Sequence, residues 1–214
     1  MQDQQHIIGL TGMYCAGKNH IARLLEARGL AVLDVDKLGH QAIELEQEAI
    51  LKQFGPSILG EDGIIDRRLL GAKVFGNAEA LTCLENLVHP AANWLTEAWI
   101  AAQGGKPCVI NAALLHKSAA FSRLESIILV KAPVLTRLLR ARKRDRLPWG
   151  TLITRFRSQK DFTSKYFQKG ADMYIIHNRG RGYTSLRSPF IKGSLENRID
   201  EILEQLLWKR RNYC

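Results

Sequence analysis

A short apolar run, Ile7–Ile8–Gly9–Leu10, leads into a loop bounded by Gly12 and Gly17, then Lys18, then the helical pattern Ile21, Leu24, Leu25. The run reads as a buried strand and the pattern as an amphipathic helix. Strand, glycine-bounded loop, lysine and helix is the layout of a phosphate-binding P-loop. Backbone N–H groups of such a loop point inward, and the helix N-terminus adds a positive partial charge. Together they suit the β-phosphate of a nucleotide. The spacing Gly12-x4-Gly17-Lys18 is intact, but Asn19 stands where a Ser or Thr hydroxyl normally ligates Mg²⁺. A turn with a chance glycine and lysine is the plainer alternative, and the flanking strand and helix weigh against it.

At 214 residues, with 46% apolar and 24% charged content, the chain has room for one or at most two domains around a sizeable core. No run approaches the length that crosses a membrane, and the N-terminus lacks a basic-then-apolar leader. A cytoplasmic enzyme or binding domain is therefore expected. Cys15, Cys83, Cys108 and Cys214 lack Cys-x-x-Cys spacing, which argues against zinc and against a disulfide framework. The net charge of +10 is concentrated between Arg137 and Arg157 and again at Lys209–Arg211. It fits a nucleic-acid footprint, a site for small polyanions or a solvated basic face, and charge alone does not choose.

After Gly29 a second apolar segment, Leu30–Leu33, ends in Asp34–Val35–Asp36. In an extended segment two acids spaced by two face the same way. If the strand runs parallel to the first, they lie at the sheet edge where open α/β folds bind ligands. Asp34 is assigned to helix capping or to support of metal-bound water, and Asp36 to the general-base role. Helix is expected from Lys37 to Leu51, from about Arg67 to Phe75 and from about Ala78 to Val88, with Pro90 starting another towards Gln103. This long helical stretch is expected to form a subdomain beside the sheet.

Cys108–Ile110, Ser126–Val130 and Met173–Ile176 read as three further strands. Pro133 opens a helix on which Arg137, Arg140 and Arg144 fall at i, i+3 and i+7, on one face. Another helix is expected from Trp149 to Gln159 and a last one from about Leu195 to Trp208. Asn178–Gly182 between them reads as a loop. Strands alternating with helices give an α/β fold with a mostly parallel sheet.

In this order the segments resemble the dephospho-CoA kinase family, over nearly the full length. The resemblance rests on Ile8–Gly12 with Gly17–Lys18, on Asp34–His40, on Phe54–Gly55 and on Gly63–Arg67. Leu70, Val74–Phe75, Val88–Pro90, Arg140, Arg144–Asp145, Arg155, Gln159, Ala171–Asp172, Asn178 and Gly180 continue it. The resemblance implies a P-loop NTPase core with a five-stranded parallel sheet, a helical substrate-binding insertion and a lid. As one dephospho-CoA kinase-like domain, residues 1–214 would divide into a core of about 1–36, 104–136 and 171–214, an insertion of about 37–103 and a lid of about 137–170.

The implied reaction transfers the γ-phosphoryl group of ATP, with Mg²⁺, to the ribose 3′-hydroxyl of dephospho-CoA. Lys18, Asp36 and Asp34 would then carry catalysis. Gly12, Cys15, Ala16, Gly17, Lys18, Asn19, His20, Arg140, Arg144 and Asn178 would bind ATP, with Asn19 holding Mg²⁺. His89 and Asp36 would face the acceptor, a buried structural role being the alternative for His89. Two polyanionic substrates account for the charge without nucleic acid, and a monomer or weak homo-oligomer is expected.

Several residues depart from the family pattern. Met13 and Cys15 replace loop glycines, so a position needing positive φ carries strain. After the third strand, Asn111 and Lys117 stand where the family shows Asp and Glu. A catalytically weakened nucleotide-binding homologue is thus a second reading, and a nucleic-acid binder a third. The place of Cys15 at a helix N-terminus beside Lys18 predicts a lowered thiol pKa, with alkylation blocking ATP binding and bound ATP protecting.

Overall fold

The computed structural model describes residues 5–157, 166, 170–180 and 195–212, without the side chains of residues 155 and 207–212. The expectations at Gln159, Arg181, Gly182 and Cys214, and for the side chains of Arg155 and Lys209–Arg211, lie outside the described residues. The chain divides into two compact units, Met1–Leu33 with Gly105–Cys214, and Asp34–Gly104.

The first unit is built on a five-stranded parallel sheet. Its strands are β1 (Ile7–Gly12), β2 (Ala31–Asp34, whose last residue opens the second unit), β3 (Cys108–Asn111), β4 (Ser126–Lys131) and β5 (Asp172–His177), in the order β2-β3-β1-β4-β5. In parallel register Ile7 meets Cys108, Ile8 meets Ser126, and Lys131 meets His177. Every residue of β1 and β3 is buried. Strands covered on both faces need unbroken apolar runs, which is why they stood out in the sequence.

Helix α1 (Lys18–Glu26) buries Ile21, Ala22 and Leu25. With Ile8, Leu10, Val109, Ile128, Val130, Ile176 and the residues Ile199 and Ile202 of the last described helix they make one apolar cluster. At Gly9 an added Cβ would lie 2.6 Å from Leu115 Cδ2 and 2.8 Å from Leu124 Cδ1. Gly9→Ala is therefore expected to lower stability by about 1–3 kcal/mol through overpacking. Urea unfolding checks this, and an unchanged midpoint would mean that the two leucines yield freely.

The second unit holds α2 (Val35–Leu45), α3 (Gln47–Phe54), α4 (Arg67–Val74) and α5 (Ala78–Ala102). Ile50, Ile58, Ile65, Leu70 and Val74 form its core. The single helix expected over Lys37–Leu51 is instead α2 and α3, parted at Glu46, whose φ of −96° and ψ of 19° leave the helical well. The break expected at Pro90 does not occur, and α5 runs 25 residues through it. Pro90 cannot donate to the Asn86 carbonyl, a local defect that reads in sequence as a stop. The Asn77 side chain caps the N-terminus of α5 by accepting from Ala80 N–H, and the helix packs along α2, α3 and α4. Packing of that length outweighs one missing hydrogen bond.

Beyond β4, α6 spans Val134–Asp145 with Pro133 as its N-cap, and α7 spans Trp149–Arg157. The last helix, α8, spans Leu195–Asn212 and is longer than expected.

Candidate active site

The loop joining β1 to α1 sits at the C-terminal edge of the central strand, where a parallel sheet leaves room for a ligand. Gly17 is the N-cap of α1, at φ 95°. An added Cβ there would lie 2.1 Å from Asn178 Nδ2. Glycine is thus required at residue 17 by backbone and by space. Lys18, half-buried, and the exposed Asn19 and His20 form the first turn of α1. A helix's first turn offers N–H groups without i−4 acceptors, which an anion can use; here the His20 N–H already donates to the Gly17 carbonyl at 3.0 Å.

Cys15 adopts the left-handed region at φ 58°, a strained conformation for a residue with a side chain, as expected where a loop glycine would sit freely. Ala16 is fully buried, and its N–H donates to the Met13 carbonyl at 2.9 Å. The other side of the loop meets the helix with the three arginines. Arg137 donates through Nε to the Tyr14 carbonyl at 2.8 Å. Arg140 Nη1 donates to the Ala16 carbonyl at 3.1 Å and to the Cys15 carbonyl at 3.4 Å. Arg140 Nη2 donates to Asn178 Oδ1 at 3.1 Å, and Asn178 Nδ2 donates to the Ala16 carbonyl at 2.9 Å. Arg144 pairs with Asp145 at 2.6 Å and lies over the Tyr14 ring, 5.2 Å from its centre. The Tyr14 hydroxyl donates to Asp145. The i, i+3, i+7 spacing therefore brings all three arginines to one loop. Tyr14, Phe156 and the buried role of Arg137 were not legible beforehand, and no pattern in the sequence marks them.

The Cys15 thiol reverses the sequence expectation. Burial pushes its pKa up, and the Asp145 carboxylate adds to the rise. The cations Arg144, Arg137 and Arg140 oppose the shift without cancelling it. Proximity to Lys18 and to a helix end is visible in sequence, whereas the loss of water around the sulfur is not. A raised pKa leaves less thiolate near neutral pH, so iodoacetamide should label Cys15 several-fold more slowly than a free thiol. Mass-spectrometric labelling rates test this, and labelling faster than free cysteine would contradict it.

Asp34 and Asp36 belong to the second unit. Asp34 ends β2 and caps α2, accepting from Asp36 N–H at 3.2 Å. Asp36 lies in the first turn of α2, exposed, rather than on an extended segment. The shared facing expected from strand alternation is therefore not found, because the chain turns helical at Val35. His89 is exposed on α5, which removes the buried structural role as its explanation.

Asn111, at the end of β3, is 2% exposed. Its Nδ2 donates to Asn19 Oδ1 at 3.5 Å, and its Oδ1 is buried with no hydrogen-bond partner among the described residues. No cluster of three His, Cys, Asp or Glu side chains able to hold a metal occurs among the described residues. A hard cation takes oxygen donors and keeps several waters. Two amide oxygens beside the loop, one of them an unsatisfied acceptor, fit a hydrated Mg²⁺ through neutral donors. Lys117, expected from the resemblance to replace a Glu, is exposed.

Comparison with known proteins points to one family. The family model described as CoaE, dephospho-CoA kinase, matches residues 6–182. The dephospho-CoA kinase of Halalkalibacterium halodurans is 33% identical over 180 residues, covering 81% of this chain and 88% of that protein. That of Geobacter metallireducens is 36% identical over 180 residues, with the same 81% and 88% coverage. Among solved structures, TT1252 from Thermus thermophilus superposes with a TM-score of 0.73 at 28% identity, covering 96% of this chain and 98% of that one.

Proposed function

We propose, from the premise that this chain belongs to the dephospho-CoA kinase family, a division of labour for its reaction. That reaction is the ATP-dependent phosphorylation of the ribose 3′-hydroxyl of dephospho-CoA, giving coenzyme A and ADP. The family match favours neither the weakened homologue nor the nucleic-acid binder. The observation that carries the reading is the loop after β1, held open by Arg137, Arg140 and Asn178 on its carbonyl side.

In this reading the loop from Gly12 to His20 cradles the ATP phosphates. The Cys15, Gly17 and Asn19 amides contribute directly, and Ala16 and His20 through the turns their N–H groups close on the Met13 and Gly17 carbonyls. Lys18 neutralises charge that builds on the transferred group. Arg144 closes over ATP and shuts out water, which requires it to exchange Asp145 for phosphate, while Arg140 serves ATP through the Cys15 and Ala16 carbonyls that it holds. Asn178 serves ATP by holding the loop, since both ends of its amide are taken by Ala16 and Arg140. Asp36 accepts the proton of the acceptor hydroxyl, and Asp34 fixes the helix that carries it. His89 and the Asp34–Gly104 unit take the acceptor, and residues 137–170 act as the lid.

Mg²⁺ fits the oxygens of Asn19 and Asn111, and when bound it supplies charge neutralisation to the phosphates. Both donors are neutral and hold a cation more weakly than carboxylates would, so the phosphates rely more heavily on Lys18 and the arginines. No described helix is long and apolar enough to cross a membrane. A cytoplasmic monomer or weak homo-oligomer acting on two small-molecule substrates completes the proposal.

A coupled ADP-release assay tests it, with dephospho-CoA, adenosine and shikimate compared as acceptors. ADP release that depends on dephospho-CoA and is weak with the other two supports the reading. Equal release with all three, or none at high enzyme, overturns it.

A further inference from the structure

The loop between β1 and α1 reaches its shape without an internal glycine, since Met13, Tyr14, Cys15 and Ala16 fill it. Cys15 is left-handed at φ 58°, a conformation in which a Cβ crowds the following carbonyl. Something must hold the chain there. Three successive carbonyls are occupied from outside: Tyr14 by Arg137, Cys15 by Arg140, and Ala16 by Arg140 and Asn178.

Arg137 is the least expected of these. It is 3% exposed, and its guanidinium lies 4.6 Å from the centre of the Phe156 ring on α7. Its Nη1 reaches Met13 Sδ at 3.5 Å, and Phe156 in turn meets the Tyr14 ring edge-on, with centroids 5.6 Å apart. Desolvation disfavours its charge and moves its pKa down. An arginine kept buried against that penalty needs good acceptors, and the Tyr14 carbonyl at 2.8 Å is one of them.

A peptide unit is planar and trans, so its C=O and N–H point in opposite directions. Turning the Tyr14 and Ala16 carbonyls towards α6 and Asn178 therefore turns the Cys15 and Gly17 amides the other way. We infer that Arg137 is a positioning residue that braces the Tyr14 carbonyl, holds Cys15 in its left-handed state and so aims the loop amides at the nucleotide phosphates. It replaces, by a hydrogen bond from a neighbouring helix, the conformational freedom that a glycine at residue 15 would supply. The inference rests on the reading that this loop holds ATP.

A double-mutant cycle on the full chain tests it, with Cys15→Gly, Arg137→Gln and the pair, reading the ATP dissociation constant by titration calorimetry and the melting temperature alongside. Loss of one charge-assisted hydrogen bond predicts that Arg137→Gln weakens ATP binding about tenfold beside Cys15. Beside Cys15→Gly the loss should shrink to about twofold, because the loop no longer needs the brace. If Arg137→Gln does not fold, Arg137→Lys keeps the charge but not the Nε–H, and should show a smaller loss with the same dependence on residue 15.

A general structural role would instead lower the melting temperature and ATP affinity equally in both backgrounds. That result, or unchanged ATP affinity in the Arg137 variants, overturns the brace alone. A wild-type chain that binds no ATP overturns the parent reading and the brace with it.

Discussion

Replacing Lys18 with alanine is expected to lower kcat/KM for ATP by about 10³-fold while leaving the fold intact. Lys18 opens α1 at the end of the loop, half-buried, where backbone dipoles alone supply only partial charges. The phosphoryl group in flight carries charge on three oxygens, and a full cation beside it is worth more than the amides that remain. Both candidate Mg²⁺ ligands, Asn19 and Asn111, are neutral, so they hold the ion more weakly than carboxylates would and leave more of the neutralisation to Lys18. Lys18→Arg should not restore the rate, because a planar fork does not fill the place of a compact ammonium. Steady-state kinetics with saturating dephospho-CoA, beside circular-dichroism melts, provide the check. A loss below about tenfold would move the central cation elsewhere.

The second large effect is at Asp36. Asp36→Asn removes the carboxylate proposed to take the hydroxyl proton but leaves a side chain of the same shape. A loss of about 10²–10⁴ in kcat is expected, with the ATP dissociation constant unchanged. Asp34→Asn is the control. Asparagine caps a helix about as well as aspartate, so the bond to Asp36 N–H survives and most activity with it. Should Asp34→Asn prove the more damaging, the two acids exchange roles. The structure supplies the reason for treating them differently: Asp34 is engaged with its own helix, and Asp36 is exposed in the first turn.

Much of the fold was legible because parallel strands advertise themselves. Ile7–Leu10, Cys108–Ile110 and Ser126–Val130 are apolar without alternation, and only a strand covered on both faces asks for that. The loop was legible from Gly12, Gly17 and Lys18, and the arginines of α6 from their spacing. The errors share one cause, which is that local rules yield to packing not visible in a single stretch. Pro90 reads as the start of a separate helix, yet α5 continues through it because its length packs along three other helices. Asp36 reads as a strand residue, yet the Asp34 cap starts a helix one residue after the strand ends. Cys15 reads as an activated thiol, yet burial in the packed loop raises its pKa. Arg137 reads only as one of three arginines on a helix face, and the three-dimensional contact with Tyr14 and Phe156 gives it a purpose.

The ³¹P spectrum of the purified chain incubated with ATP and dephospho-CoA bears most directly on all of this. A new phosphomonoester resonance, assigned to the ribose 3′ position and growing in step with ADP, is the predicted result. ADP without that resonance, or ATP left intact beside unchanged dephospho-CoA, would contradict it.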